Sequence, residues 1–144
     1  MATLNYSIHE RIPSVSEHKF IWESVGWGSI NTEMSKGSLK NSLYGVVVTV
    51  NDEPVGMGRI VGDDFMYFYI QDVAILPSFQ GLGIGKKILE YLLAYIKKRR
   101  LDSGIAFVGL FASEGNDTFY EKYSFKNHSP HMTGMFRVFE NYFP

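Results

Sequence analysis

Cysteine is absent from the 144 residues, which excludes disulfides, thiolate metal sites and a cysteine nucleophile together. Neither sign of charge is in excess. Fourteen Lys and Arg stand against 15 Asp and Glu, a formal net charge of −1, so a nucleic-acid binder held by phosphate neutralisation is not expected. No apolar run is long enough to span a bilayer, and the opening MATLNYSIHE has no basic or apolar signal-peptide blocks. Internal repeats, low-complexity tracts and linkers are also missing. His128 and His131 have a loose metal-like spacing without a third ligand, and no G-x-S-x-G or Ser-His-Asp arrangement stands out. What remains, 45% hydrophobic and 20% charged residues, describes a soluble globular chain long enough for one core. The expectation is a single cytoplasmic domain over residues 1–144, with no metal and no nucleic-acid or membrane partner.

The pattern along the chain is mixed α/β, an α+β mixed sheet. Leu4–Glu10 reads as a first strand. Ser14 and Glu17 form a capping box opening a helix that carries Phe20, Ile21, Trp22 and Val25 and stops at Gly26. A weaker helical stretch follows, then the β-branched run Gly45–Val50, a turn at Asn51-Asp52-Glu53-Pro54, a paired strand Val55–Gly62 and a long apolar run Met66–Leu76. Strands are expected at Ala106–Ala112 and Met135–Phe139, flanking a helix around Asp117–Tyr123. This is an antiparallel meander followed by β-α-β-α-β.

Between the third long strand and the clearest helix lies QGLGIGKK, Gln80–Lys87. Ile88, Leu89, Leu92, Leu93 and Ile96 give the helix one apolar face, and Lys97–Arg100 suit its C-terminal dipole. Lys86 and Lys87 sit at the disfavoured end. Glycines let a ligand approach the backbone, and first-turn N–H groups have no helical acceptor. The combination points to a phosphate cradle; a plain strand-to-helix turn is the alternative. It is not the G-x-x-x-x-G-K-[ST] loop, which would need glycine at Gln80 and Ser or Thr at Lys87. The dinucleotide fingerprint G-x-G-x-x-G fails at Ile88 or Lys86, depending on where it starts.

Gln80-Gly81-Leu82-Gly83-Ile84-Gly85 fits Q/R-x-x-G-x-G/A, and here the sequence resembles the GNAT superfamily of acetyl-CoA-dependent N-acetyltransferases. Upstream, DVAILPSF resembles that family's fourth strand. Downstream, Phe119-Tyr120-Glu121-Lys122-Tyr123-Ser124-Phe125 resembles its F-Y-E-K-x-G-F block, with Ser124 in place of glycine. The L-F-A…F-Y rhythm of Leu110–Tyr120 and the G-M-F of Gly134–Phe136 are most similar to arylalkylamine and serotonin N-acetyltransferases. The likeness covers Val46–Phe139.

The resemblance implies the GNAT fold with splayed fourth and fifth strands. It implies pantetheine against the main chain of Val73, Ala74 and Ile75, and pyrophosphate on the loop Gln80, Gly81, Leu82, Gly83, Ile84, Gly85 and Lys86. Ser113 stands where many relatives place a coenzyme-contacting asparagine. Tyr120 matches the tyrosine that faces the coenzyme sulfur. An amine acceptor needs a proton acceptor, and Asp72 is the acid available. By strict alternation Asp72 lies opposite the face of Tyr69 and Gln71 unless a bulge intervenes; a base or ammonium anchor and a structural strand-end hydrogen bond are both open for it. Trp27, Tyr69 and Gln71 are the candidate acceptor wall, and Glu33, Asp63, Asp64 and Glu114 are further acids that could meet an ammonium.

The expected activity is acetyl transfer from acetyl-CoA to a primary amine, with a lean to small molecules, by direct attack in a ternary complex. A silent coenzyme-A sensor and a peptide N-acetyltransferase are the alternatives. A monomer and a homodimer, the latter pairing through Met135–Tyr142, are equally compatible.

Overall fold

In the computed structural model, which describes residues 4–139, the strand Ser7–His9 (β1) leads into the helix Val15–Ser24 (α1). The capping box at its start is complete: Ser14 Oγ accepts from the Glu17 amide at 3.2 Å and Glu17 Oε1 accepts from the Ser14 amide at 2.9 Å. Arg11 adds a fork onto the same carboxylate at 2.7 and 2.9 Å. Gly26, at φ 85°, takes the left-handed turn that ends the helix. Asn31 caps the next helix, Thr32–Lys40 (α2), accepting from the Met34 amide.

Tyr44–Val50 (β2) and Glu53–Gly62 (β3) form a hairpin about Asn51 and Asp52, at φ 50° and 65°, the two positive-φ positions a tight hairpin turn requires. Glu53 and Pro54, expected in the turn, begin β3 instead, opposite Val50 and Thr49. Tyr67–Ile75 (β4), Ile84–Arg99 (α3) and Phe107–Gly109 (β5) follow. The sheet order is β1-β2-β3-β4-β5, antiparallel up to β4 and parallel between β4 and β5. The Ala106–Ala112 run therefore contributes only three strand residues.

Alternation along β3 sorts the helices onto two faces. Met57 packs in a cluster with Ile21 of α1 and Ala74 of β4. Gly56 and Gly58, of opposite parity, meet α3: a Cβ on Gly58 would lie 2.6 Å from Ile88 Cγ2 and 3.2 Å from Leu92 Cδ1. Ile88, Leu89 and Leu92 are fully buried there, so the helix rides directly on the glycine backbone. Gly58→Val is expected to cost about 1–3 kcal/mol through overpacking, read as a lower denaturation midpoint with unchanged slope.

The chain divides into two compact units, Met1–Leu110 and Phe111–Pro144. The second holds a short helix, Asp117–Glu121 (α4), whose aromatic rings pack on one another. The expected strand Met135–Phe139 is not formed. Its apolar side chains are largely exposed, Met135 at 86% and Phe136 at 88%, and an aromatic run becomes a strand only where a neighbouring ladder receives it. The edge considered for homodimer pairing, Met135–Tyr142, runs beyond the described residues. Among those residues no helix is long and apolar enough to cross a membrane.

Candidate active site

β4 does not alternate evenly. Gln71 pairs with Arg59 and Ala74 with Met57, so two residues of β4, Asp72 and Val73, oppose Gly58 alone. Asp72 adopts φ 56°, the left-handed conformation of a bulge. The bulge turns the Asp72 carboxylate onto the α1–α2 face, the side shared by Gln71 and Arg59, and leaves Val73 toward α3, where its Cγ2 lies 3.5 Å from a Cβ built on Gly58.

The carboxylate is occupied there. Asp72 Oδ2 accepts from Arg59 Nε at 2.7 Å and is 2.9 Å from His18 Nε2. His18 Nδ1 is 2.8 Å from Ser35 Oγ. Arg59 continues the network to α2, donating to the Ser38 hydroxyl and carbonyl and to the Ser42 hydroxyl. All four core members are buried: Ser35 0%, His18 1%, Arg59 6% and Asp72 6% exposed. Burial pushes the Asp72 carboxyl up, but His18 and Arg59 outweigh it and hold the group below the usual carboxylate range. An acid held ionised by two partners is a weak proton acceptor, and these surroundings fit the structural role weighed for Asp72. A Ser-His-Asp chain thus exists, although none stood out in the sequence. Its serine is sealed from solvent and is no nucleophile.

Two further acids considered for an ammonium are also engaged. Asp63 Oδ1 accepts from the amides of Phe65, Met66 and Tyr67, each at 2.9 Å. Asp64 binds Tyr95 at 2.9 Å and Arg99 at 2.6 Å, so one cation of the Lys97–Arg100 cluster anchors the β3–β4 loop. Tyr69 and Gln71 are half-buried, and burial, then the Asp72 charge, push the Tyr69 phenol up. Trp27, 40% exposed, stands edge-on to Trp22, which in turn meets His18 edge-on at 5.6 Å. An aromatic file therefore runs from the buried network to the α1–α2 loop.

On the other side of β4 the sheet opens. β5 pairs with Tyr67, Phe68 and Tyr69 only; from Ile70 to Ile75 that edge of β4 has no β5 partner among the described residues. This fits the expected splay, with Val73, Ala74 and Ile75 on the stretch that β5 does not pair. The chain then turns through Pro77–Phe79 into the mouth of α3. Gly81 and Gly83 sit at φ 76° and 86°, and a Cβ on either would point into open space. Gly83 caps α3 without a side-chain hydrogen bond. The first helical bond runs from the Lys87 amide to the Gly83 carbonyl at 3.2 Å, so the amides of Ile84, Gly85 and Lys86 precede the ladder. Leu82 and Lys86 are exposed, Ile84 is buried, and Lys87 lies 3.7 Å from Glu90. Gln80 points back to the strand, where its Nε2 donates to the Ile75 carbonyl at 3.0 Å and ties the loop to the end of β4.

In the second unit, Tyr120 lies on α4 between Phe119 and Phe125, with ring centroids 5.0 and 5.9 Å away. Burial pushes its phenol up. Ser113 is exposed, and its carbonyl accepts from the Asn116 amide at the start of α4. Among the described residues no three His, Asp or Glu side chains group as metal ligands.

Sequence reasoning missed His18, Ser35 and Arg59. The signals were there: His18 shares α1's apolar stripe with Ile21, Trp22 and Val25, and Arg59 is a cation inside VGMGRIVG, a buried strand that needs an anion.

Comparison with known proteins agrees with this geometry. Residues 41–127, more than half of the chain, match the family described as Acetyltransferase (GNAT) domain. An uncharacterized N-acetyltransferase, ycf52-like, of Prochlorococcus marinus is 39% identical over 103 residues, covering 69% of this chain and 55% of its own. A chloroplastic serotonin N-acetyltransferase 2 of rice, Oryza sativa subsp. japonica, is 30% identical over 82 residues, covering 57% of this chain and 39% of its own. The chain thus spans only part of the length of these curated relatives. A crystal structure of a probable acetyltransferase from meticillin-resistant Staphylococcus aureus superposes with a TM-score of 0.86 at 30% identity, over 94% of this chain and 100% of the other. From the QGLGIG mouth, the opened edge of β4 and this match together, the chain belongs to the GNAT acetyltransferase family.

Proposed function

We propose that the protein is an N-acetyltransferase that passes the acetyl group of acetyl-CoA directly to a primary amine. The observation that carries this is the α3 mouth: among the described residues, unpaired first-turn amides and two left-handed glycines with open space above them, following the stretch of β4 that β5 does not pair. These features fit the coenzyme. The amides of Gly81–Lys86 suit a diphosphate, and the helix dipole favours its charge. The β4 edge at Val73, Ala74 and Ile75 offers main-chain partners to the pantetheine. Gln80 holds the loop to the strand instead of touching the ligand.

Acetyl-CoA supplies a thioester, whose carbonyl carbon bonds to the amine nitrogen as the carbon–sulfur bond breaks. The chain's groups manage charge around that exchange. A main-chain N–H at Val73 is assigned to the carbonyl oxygen. Tyr120 is assigned, through its FYEK match, the hydrogen bond to the departing sulfur, with Ser113 as a neighbouring coenzyme contact. Direct attack is favoured because the chain has no cysteine and Ser35 is fully buried.

An alkylamine with pKa near 10.4 enters mostly protonated at pH 7, a deficit of about 4–5 kcal/mol. Asp72 is engaged, so the proton is assigned to water along the Tyr69–Gln71 face. Trp27, with Tyr69 and Gln71, forms the acceptor wall. Its aromatic character, with Asp64 and Asp72 paired to arginines and Asp63 engaged by main-chain amides, favours a small aryl- or alkylamine over a basic peptide. A cytoplasmic setting is part of the proposal, with a plastid the alternative that the chloroplastic rice relative suggests.

The deciding experiment is an acceptor panel of aryl- and alkylamines, polyamines and lysine peptides, read by free-thiol release and product mass. Thiol release with small amines is expected. Release with peptides alone, or none from a protein that still binds acetyl-CoA, would overturn the small-molecule assignment or the catalysis.

A further inference from the structure

The Asp72 bulge is an unusual device. A non-glycine residue at φ 56° is strained, and such conformations persist where the surroundings over-determine them. Here two groups do so from different elements: Arg59, on β3 and paired with Gln71, and His18, from α1, converge on the single oxygen Oδ2. A buried ion pair is weak support for stability compared with apolar packing, and its better-attested use is to fix one conformation. The residues immediately after Asp72 are Val73 and Ala74, whose main chain the proposed reaction uses.

Hydrogen-bond logic fixes the direction of the bond between His18 and Asp72. An ionised Asp72 only accepts, so His18 carries a proton on Nε2 and donates it, while Nδ1 shares a hydrogen bond with the Ser35 hydroxyl. Arg59 and Asp72 balance in charge, and every polar atom named is satisfied. Trp22 closes this arrangement off with its ring edge-on to His18. The result is a continuous link from α2, through His18, to the bulge.

We infer that His18 and Arg59 are positioning residues for acetyl transfer: by clamping Asp72 from two sides they hold the β4 bulge, and so aim the Val73–Ala74 main chain at the thioester carbonyl. This rests on the acetyltransferase proposal, but the clamp itself can be tested apart from it.

Two variants of similar polarity separate positioning from packing. His18→Gln places an amide nitrogen near the former Nε2 and keeps the bond to Asp72. His18→Asn places its amide near Nδ1, where it can still share a hydrogen bond with the Ser35 hydroxyl, and releases Asp72. Turnover is expected to stay within about fivefold of wild type in His18→Gln and to fall about 30-fold or more in His18→Asn, with acetyl-CoA dissociation constants within about threefold for both. Equal turnover in the two variants, or losses that track coenzyme binding, would overturn the inference. Should His18→Asn fail to fold, Arg59→Lys replaces it, since it keeps the charge but puts a methylene where Nε donates to Asp72; the same ordering is expected.

If the wild-type protein transfers no acetyl group, the acetyltransferase proposal fails and the clamp is judged by amide hydrogen exchange. The β3–β4 ladder amides on either side of the bulge, around the Arg59–Gln71 and Met57–Ala74 pairs, should then exchange about tenfold faster in His18→Asn than in His18→Gln. Equal exchange would overturn it.

Discussion

Gly83→Asp is expected to raise the dissociation constant of acetyl-CoA by about 100-fold or more, with the fold intact. Gly83 caps α3 at φ 86°, with nothing within 4 Å of a Cβ built there. In the free protein an aspartate incurs a left-handed penalty of about 1–2 kcal/mol, partly offset by the helix dipole, which favours an anion at this end by about 0.3–1 kcal/mol. With a diphosphate on the same amides the sign reverses. A second negative charge about 4 Å away costs about 4 kcal/mol at an effective dielectric near 20, and every 1.4 kcal/mol is tenfold in affinity. A hundredfold is therefore a conservative expectation. Gly83→Ala separates the terms, since it keeps the strain and omits the charge; about tenfold or less is expected. Calorimetric titration of the three proteins provides the measurement. Equal affinity in wild type and Gly83→Asp would place the diphosphate elsewhere.

Tyr120→Phe is expected to lower turnover about 10- to 100-fold while the acetyl-CoA dissociation constant stays within about threefold, the worth of a hydrogen bond to a charged group being about 1.5–3 kcal/mol. The ring contacts to Phe119 and Phe125 do not involve the hydroxyl, so phenylalanine preserves the packing. A phenol near pKa 10 is a weaker acid than a thiol near 8.5 by about 2 kcal/mol, and burial pushes Tyr120 further up. Complete proton transfer to the departing thiolate is thus uphill, whereas donation of a hydrogen bond is not. The sign for pH follows directly: a group whose pKa is raised stays protonated below its ordinary value, so Tyr120 should remain a donor, and turnover should show no loss from its ionisation, up to about pH 9. Equal rates for the two proteins on the true acceptor would remove Tyr120 from the reaction.

Local features were the most readable in the sequence. The capping box of Ser14 and Glu17, the hairpin at Asn51 and Asp52 and the apolar face of α3 each depend on residues within a few positions, and each appears close to where the spacing predicts it. The glycine mouth was readable for the same reason. Asp72 was not, because strand alternation is a rule about one strand, and the bulge that moves its carboxylate depends on Gly58 and Arg59 across the ladder. His18 went unnoticed because its partners, Ser35 and Asp72, are 17 and 54 residues away. Met135–Phe139 carries strand-forming residues, but a strand needs a neighbour, which composition does not reveal.

A crystal structure grown with saturating acetyl-CoA tests the central claim most directly. The expected result is the coenzyme diphosphate at hydrogen-bond distance, about 3 Å, from main-chain amides between Gly81 and Lys86, with the pantetheine along β4 beyond Tyr69. A coenzyme bound elsewhere, or amides at the α3 mouth that face only solvent at full occupancy, would contradict it.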